Sequence, residues 1–232
     1  MRLNKFLAQS GVASRRKADE LIQMATTKVN GKICQDPAYN VKHSDVIRYD
    51  GQKISPILEK VVIMLHKPKN VITTVKDTHG RKTVLDLVQS KYRLTPVGRL
   101  DQDTTGLLLL TNDGDLQQLL THPRNQIPKD YEAVIEGKIT SSQKQKLSRG
   151  IYIGDKEYGK AEIISQEIKK RRSTVILRLR QGKKREIRRI MYRFKLKLLT
   201  LKRIRFGGLS LGNLSENHYR TLTDKEVKTL NS

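Results

Sequence analysis

The sequence predicts an α+β protein with a small module at residues 1–60 and a larger domain at residues 61–232, built on a mixed, largely antiparallel sheet. Three observations carry this prediction. A chain of 232 residues can hold one medium domain and a small one. Strand-like and helix-like patterns mix in the second part without strict alternation of one strand and one helix. Pro56 interrupts regular structure in a linker at residues 55–60.

The N-terminal module is predicted to contain two short helices and two hairpins. Gly11 fits the end of the first helix, and Ser14 can cap the second. Asn-Gly at residues 30–31 and Asp-Gly at residues 50–51 are typical of two-residue hairpin turns. Apolar residues at helical spacing are Leu3, Phe6 and Leu7 in the first helix and Ala18, Leu21 and Ile22 in the second.

Three basic residues, Arg15, Arg16 and Lys17, occupy the first turn of the second helix. The positive end of the helix dipole lies there, and it favours acids over cations. We therefore expect these side chains to bind phosphate rather than to stabilise the helix.

The second domain contains several apolar or alternating runs that predict strands. The run at residues 61–65 and the run at residues 107–110 are wholly apolar, which is typical of buried strands. Further strands are expected at residues 131–135, 175–179 and 198–206. Helices are expected at residues 83–88, 115–120 and 184–194, followed by a last short helix capped by Thr223.

The net charge of the chain limits the classes of partner that it is expected to bind. A net charge of +24 attracts polyanions. RNA, DNA and an anionic membrane are the candidates, and membrane is the weakest because no apolar run approaches the roughly 20 residues that span a bilayer. The N-terminus lacks a signal core of the usual length, and the single Cys34 suits a reducing compartment, so a cytoplasmic location is expected. The sequence shows no metal-ligand cluster, so no metal is expected, and it shows neither a dinucleotide-binding motif nor a phosphate-binding loop.

The basic residues are concentrated in one segment. Residues 169–205 hold 17 Lys or Arg and one acid, Glu186, which leaves +16 of the total +24. A solubilising surface usually mixes both signs. This segment therefore predicts contact with nucleic acid.

The segment VGRLDQDTTGLLLLTNDG, residues 97–114, is the most informative motif. It places Asp101 between Arg99 and a polar turn, directly before a buried strand. Such an arrangement can present a reactive group on a rigid element. An isolated Asp at this position would more often only shape the turn.

The motif resembles the catalytic motif of the RsuA/RluB family of pseudouridine synthases, which modify ribosomal RNA. Residues 129–134, KDYEAV, resemble the KxYxV motif of that family, and residues 182–190, GKKREIRRI, resemble its basic motif. Residues 1–60 resemble its alpha-L RNA-binding module. The match covers almost the whole chain and is closest to the RluB-like branch, which acts on the large ribosomal subunit.

The resemblance implies that the enzyme isomerises uridine to pseudouridine and needs no cofactor. Asp101 would be the catalytic carboxylate, attacking the sugar or removing a proton from it, two routes that the sequence does not separate. Arg188 would pair with Asp101; on its own it could equally bind phosphate. Tyr131 would pack on the uracil; the alternative is that it is an ordinary aromatic residue of the core. Arg99 would fill the space that the flipped base leaves; the alternative is that it only forms a salt bridge.

The resemblance also implies the partners. The expected substrate is ribosomal RNA or a pre-ribosomal particle, with a target uridine near the peptidyl-transferase region; the protein is expected to be a monomer that does not bind membranes. Expected RNA-binding residues are Arg15, Arg16, Lys17, Lys183, Lys184, Arg185 and Arg189. A non-catalytic ribosome-assembly or RNA-chaperone protein is the alternative, and a DNA-binding regulator is a weaker one.

Three positions depart from the family pattern, one of them Lys184, which stands where Asn is usual in the basic motif. Asn70 stands where Gly is common in the Lys-Pro-x-Gly element, and Asn tolerates a left-handed backbone. Glu186 stands where Gln is typical, which puts RNA contacts in doubt more than the chemistry.

Overall fold

The computed structural model describes residues 1–231, which form two compact units. The first unit comprises residues 1–61 with the short segments 91–93 and 112–114. Among the described residues, the second unit comprises 62–90, 94–111 and 115–231. Each unit has its own hydrophobic core.

The first unit contains two helices and a four-stranded sheet with strand order β2-β1-β3-β4. Its elements are α1 (Leu3–Gln9), α2 (Arg15–Gln23), β1 (Thr27–Val29), β2 (Lys32–Ile33), β3 (Ile47–Tyr49) and β4 (Gln52–Lys53).

The predicted helices and hairpins of the first unit are confirmed. The Ser14 side chain accepts a hydrogen bond from the Lys17 backbone N–H at 3.2 Å, which caps α2. Asn30 and Gly31 both have positive φ, and so do Asp50 and Gly51, as type I′ hairpin turns require. The buried residues of this core are Leu3, Leu7, Ala18, Ile22, Val29 and Ile47.

The second unit is built on a large sheet with strand order β11-β12-β8-β13-β7-β5-β15, to which β6 and β14 are added, and on a separate β9–β10 hairpin. The strands are β5 (Val62–Lys67), β6 (Thr95–Val97), β7 (Thr105–Thr111), β8 (Lys129–Glu136), β9 (Ile151–Gly154), β10 (Glu157–Gly159), β11 (Glu162–Lys169), β12 (Arg172–Leu179), β13 (Leu198–Phe206), β14 (Leu209–Ser210) and β15 (Tyr219–Thr221). The helices are α3 (Gly114–Thr121), α4 (Ser141–Arg149), α5 (Glu186–Arg193) and α6 (Asp224–Lys228), with short 3₁₀ helices at Val84–Leu87, Pro123–Asn125 and Thr229–Asn231.

The fold class is confirmed: nearly all strand pairs are antiparallel, and β13 with β7 is the parallel pair between named strands of the described chain. Two predicted helices differ in detail. The helix expected at residues 184–194 begins only at Glu186, because Arg185 has a left-handed backbone with φ 51°. The helix expected at residues 83–88 is a single turn of 3₁₀ helix, Val84–Leu87, which is too short for a series of α-helical i→i+4 hydrogen bonds.

The parallel pair depends on Gly106. A Cβ built on this residue would lie 2.2 Å from the backbone oxygen of Arg203, and its φ is +105°. Both facts exclude a side chain at the point where β7 meets β13. The strand that follows Asp101 is thereby fixed against the centre of the sheet.

Within residues 1–231, none of the helices combines the length and the apolar character needed to cross a membrane.

Candidate active site

A cleft in the second unit brings the sequence motifs together. Asp101 and Arg99 reach it from the loop between β6 and β7, Tyr131 from β8, and Arg188 from α5. The residues that line it are Arg99, Leu100, Asp101, Thr104, Tyr131, Leu179, Gln181, Gly182, Lys183, Arg185, Glu186, Ile187, Arg188 and Leu201. Three motifs that are far apart in the sequence therefore share one site.

Asp101 is half-buried and faces two guanidinium groups. Its Oδ2 lies 3.6 Å from Nε of Arg188 and 3.8 Å from Nη1 of Arg185. Cations at this distance attract the negative charge of the carboxylate. The sequence pointed to Arg188 as the partner of Asp101, whereas the approach of Arg185 was not foreseen.

Arg188 is held by Thr104 as well as by charge. Its Nη2 donates to Oγ1 of Thr104 at 3.2 Å, and the Thr104 residue is buried. The buried Nε of Arg188 has no hydrogen-bond acceptor among the described residues, because Asp101 at 3.6 Å lies just beyond hydrogen-bond distance. The ion pair is therefore loose, and a small shift of either side chain would convert it into a charge-assisted hydrogen bond.

The loop that carries Asp101 is held by hydrogen bonds from Lys67, the fully buried last residue of β5. Its Nζ donates to the backbone oxygens of Pro68 at 2.8 Å, Thr104 at 3.0 Å and Gln102 at 3.3 Å. Three carbonyl acceptors match the three donors of an ammonium group. Lys67 thus ties both sides of the Asp101 turn to β5.

Burial lowers the pKa of Lys67 from 10.5 to about 8, and the negative charges of Asp103 and Asp101 partly oppose this shift. At neutral pH the group keeps its proton, so a positive charge lies beneath the turn. Lys67 belongs to the Lys-Pro-x-Gly element, and its position at the end of an apolar strand was the signal that could have identified it.

Two further residues fix the same loop. Thr73 Oγ1 donates to the backbone oxygen of Leu100 at 2.9 Å and lies 3.3 Å from the Leu100 backbone nitrogen. The backbone N–H of Asn70 donates to the oxygen of Gln102 at 3.0 Å. Asn70 has φ 63°, so the expectation that Asn keeps the left-handed turn at this position is confirmed.

Tyr131 is the third residue of β8 and is half-buried against the core of the sheet. It pairs with Leu177 of β12 on one side and with Arg203 of β13 on the other. Two central strands therefore hold its backbone, while its side chain lines the cleft. Arg99, in contrast, is exposed at the rim, and its side chain forms no ion pair within residues 1–231.

Glu186 lines the cleft, but its carboxylate is engaged with backbone groups of the protein. The residue is buried, and its carboxylate accepts hydrogen bonds from the backbone N–H groups of Lys160 and Lys183, both at 3.2 Å. Burial raises the pKa of its carboxyl group, and these two hydrogen bonds partly oppose the shift. The departure from Gln thus concerns the anchoring of the turn before α5.

The predicted RNA-binding residues fall into two groups. Lys184 and Arg185 are exposed beside the cleft, and Arg15, Arg16 and Lys17 are exposed on α2, where Lys17 also pairs with Glu20 at 2.6 Å. Arg189 differs, because its guanidinium is engaged within the protein. It donates to the backbone oxygens of Ile153 and Gly154 and to the carboxylate of Glu157, so it fastens the β9–β10 hairpin to α5.

The comparison with protein families agrees with this geometry. Residues 61–192 match the RNA pseudouridylate synthase family, and residues 1–47 match the S4 domain family. The chain therefore belongs to the RNA pseudouridylate synthase family, and it carries an S4 domain at its N-terminus.

Individual relatives support this assignment over the whole chain. A protein of Bacillus subtilis (strain 168) named ribosomal large subunit pseudouridine synthase B is 40% identical, with 99% of this chain and 95% of that protein covered. An uncharacterized RNA pseudouridine synthase of Aquifex aeolicus (strain VF5) is 36% identical, with 99% and 93% covered. A crystal structure described as pseudouridylate synthase superposes with a TM-score of 0.70 at 28% identity and covers 99% of both chains.

Proposed function

We propose that this pseudouridine synthase isomerises a uridine of large-subunit ribosomal RNA, with Asp101 as the catalytic carboxylate. The observation that carries the proposal is the cleft in which Asp101, Arg188 and Tyr131 meet, with Asp101 Oδ2 at 3.6 Å from Arg188 Nε. The substrate follows the full-length similarity to the Bacillus subtilis protein named for the large ribosomal subunit.

The reaction breaks the bond between N1 of uracil and C1′ of ribose and forms a bond between C5 and C1′. The proton on C5 is then lost, and N1 gains one, so the product is an isomer. Asp101 acts on the ribose, either as a nucleophile at C1′ or as a base that removes a sugar proton. Arg188 and Arg185 hold the carboxylate in position for either route.

The target uridine leaves the RNA stack before it can enter the cleft. Tyr131 provides the flat surface on which the uracil rests, since it lines the cleft from a strand held on both sides. Arg99 at the rim fills the position that the base vacates. Lys183, Lys184 and Arg185 contact the phosphates that flank the target.

Residues 1–60 serve as the RNA-binding module and residues 61–232 as the catalytic domain. Arg15, Arg16 and Lys17 contact phosphate through the exposed first turn of α2, and Arg189 adds a contact beside the cleft. We assign the protein to the cytoplasm, where it acts as a monomer on ribosomal RNA or a pre-ribosomal particle and needs no membrane.

The experiment uses Asp101→Asn, which keeps the shape of the side chain and removes its charge. The variant is incubated with separate transcripts of the two ribosomal RNAs and of transfer RNA, and pseudouridines are mapped. We expect loss of at least about a hundredfold in rate with unchanged RNA affinity. Asp103→Asn, the same change at an exposed position in the same turn, is the control.

Three outcomes would overturn parts of the proposal. An Asp101→Asn variant with more than about a hundredth of the wild-type rate would remove Asp101 from the central role. Modification of only the small-subunit transcript, or only of transfer RNA, would overturn the substrate. A wild-type protein that binds ribosomal RNA and modifies none of the transcripts would favour the alternative role in ribosome assembly.

A further inference from the structure

Three exposed tyrosines lie outside the catalytic cleft, on the β9–β10 hairpin and on α5. Tyr152 is 48% exposed, Tyr158 is 60% exposed and Tyr192 is 79% exposed. The chain has only eight Tyr, three Phe and no Trp, so these residues are a large share of its aromatic side chains. A single exposed ring is ordinary, whereas a group of rings on packed neighbouring elements indicates a binding surface.

The hairpin rings are arranged with their faces at an angle. The ring centroids of Tyr152 and Tyr158 lie 5.6 Å apart with an interplanar angle of 65°. The guanidinium of Arg193 lies 5.5 Å from the centroid of the Tyr152 ring. An edge-to-face pair exposes ring surface that a parallel stack would cover.

The hairpin that carries these rings is rigidly attached. Arg189 on α5 donates to the Ile153 backbone oxygen at 2.9 Å, to the Gly154 oxygen at 2.7 Å and to Glu157 Oε2 at 2.6 Å. Because β9 and β10 are fixed to α5, the rings are preorganised for a ligand, which lowers the entropy lost on binding.

One of the tyrosines, Tyr158, is hydrogen-bonded to a residue of the cleft. Lys183, which lines the cleft, donates from Nζ to the backbone oxygen of Tyr158 at 2.5 Å. Tyr192 and Arg193 lie on the same helix as Arg188, the partner of Asp101. A strand of RNA whose uridine occupies the cleft would therefore pass beside these rings.

The charge around the tyrosines identifies the partner. Exposed cations on the same elements and the adjoining loop are Lys156, Lys184, Arg185 and Arg193. The nearby acids Asp155 and Glu157 are both paired with Arg189. Exposed aromatic rings beside exposed cations are typical of surfaces that bind single-stranded nucleic acid.

We propose that Tyr152, Tyr158 and Tyr192 form a stacking surface for unpaired bases that flank the target uridine. The cations around this tyrosine surface hold the RNA backbone, and the rings accept bases of any sequence because every base has a π-face. This inference rests on the proposed function for the identity of the RNA. It adds a binding site for the nucleotides on either side of the modified one.

The test compares two triple variants in the Asp101→Asn background, which prevents turnover during binding measurements. Tyr152, Tyr158 and Tyr192 are changed together to Leu, which removes the rings, or to Phe, which keeps them. Affinity is measured for an RNA hairpin with an unpaired flanking segment and for the same hairpin without it. Tyr219→Leu, the same change on strand β15, is the control, and thermal melting checks that all variants are folded.

We expect the Leu variant to bind the RNA with the unpaired segment at least about fivefold more weakly, and the Phe variant to bind it like the parent protein. The slope of log affinity against log salt stays unchanged, because stacking releases no counterions. The hairpin without the segment is bound equally by all variants. A 2-aminopurine placed beside the target uridine is quenched by the parent protein and not by the Leu variant.

Equal affinity of the Leu variant and its parent for the RNA with the unpaired segment would overturn the proposal. A change in oligomeric state of the Leu variant, seen by light scattering, would assign the tyrosine surface to protein association instead. Because binding is measured without turnover, a failure of the proposed function can be told apart from a failure of the stacking surface. A protein that quenches 2-aminopurine but modifies no ribosomal RNA would keep the stacking surface and lose the substrate assignment.

Discussion

Replacing Lys67 with Met should loosen the loop that carries Asp101 while the protein stays folded. The change keeps the length of the side chain and removes an ammonium group with hydrogen bonds to three backbone oxygens. Without these donors the oxygens of Pro68 and Thr104 lose partners on either side of the turn. The Asp101 carboxylate would then move relative to Arg188.

The size of the effect follows from two opposing terms. The two shorter hydrogen bonds, at 2.8 and 3.0 Å, are charge-assisted and contribute roughly 1.5–3 kcal/mol each. The fall of the Lys67 pKa from 10.5 to about 8 corresponds to roughly 3 kcal/mol of unfavourable burial, which Met avoids. We therefore expect the free energy of unfolding to fall by only about 0–3 kcal/mol.

The effect on turnover should be larger than the effect on stability. A displacement of about 1 Å at a reacting group can lower the rate about 100-fold, so we expect kcat to fall between about 10-fold and 100-fold with little change in RNA affinity. Single-turnover assays on a ribosomal RNA transcript measure this rate. Lys69→Met, the same change at an exposed neighbour, should behave like the wild type.

The pH dependence provides a second readout. Above a pH of about 8 the folded protein releases the Lys67 proton, whereas the unfolded chain retains it up to about 10.5. The wild-type kcat should therefore decline as pH rises through about 8, and the variant should lack this decline. Over the same window the stability of the wild type relative to the variant should rise, because the unfolded state binds more protons. A Lys67→Met enzyme with kcat within threefold of the wild type and the same pH profile would show that Lys67 does not hold the Asp101 loop in its active position.

Three further predictions concern the cleft and the N-terminal module. Tyr131→Ala should lower turnover at least about fivefold while Tyr131→Phe keeps most of it, because the proposed stacking on the base needs the ring and not the hydroxyl. Equal single-turnover rates for wild type and Tyr131→Ala would exclude stacking. Changing Arg15, Arg16 and Lys17 together to Gln should reduce the steepness with which RNA affinity falls as salt rises. The slope of log affinity against log salt should decrease in magnitude by about 0.7 for each lost contact with a single-stranded phosphate. An unchanged slope in titrations at several salt concentrations would place the RNA contact elsewhere. Since burial raises the pKa of Glu186 above 4.5, the stability of the wild type relative to Glu186→Gln should fall as pH rises through that raised value; a difference between the two urea melts that does not vary with pH would contradict this.

The sequence identified the elements whose patterns are local. The apolar run of β7 and the alternating run of β8 were predicted, and the bounds of β13 agree with the prediction at residues 198–206. Capping at Ser14 and Thr223 was also predictable, because a cap depends on neighbouring residues. The helix α4 was not predicted, since its polar sequence buries only Leu147 and therefore shows little periodicity.

The candidate site was predictable only in part. The motifs named Asp101, Arg188 and Tyr131, and the structure places all three in one cleft. The anchoring by Lys67 and Glu186 was not predicted, because it depends on backbone groups that are distant in the sequence: Gln102 and Thr104 for Lys67, and Lys160 for Glu186. Arg189 was expected to bind RNA, yet its hydrogen bonds hold the β9–β10 hairpin, and its contact with RNA stays a prediction.

The position of β13 has a consequence for how the enzyme matures. This strand lies between β8, which carries Tyr131, and β7, which follows the Asp101 loop. The two sides of the cleft therefore cannot be joined until residues 198–206 have been synthesised and inserted. Pairing over such long sequence distances is slow, because a large loop closes before any contact stabilises it. A nascent chain should thus gain RNA affinity early, through its first 60 residues, and catalytic competence only late.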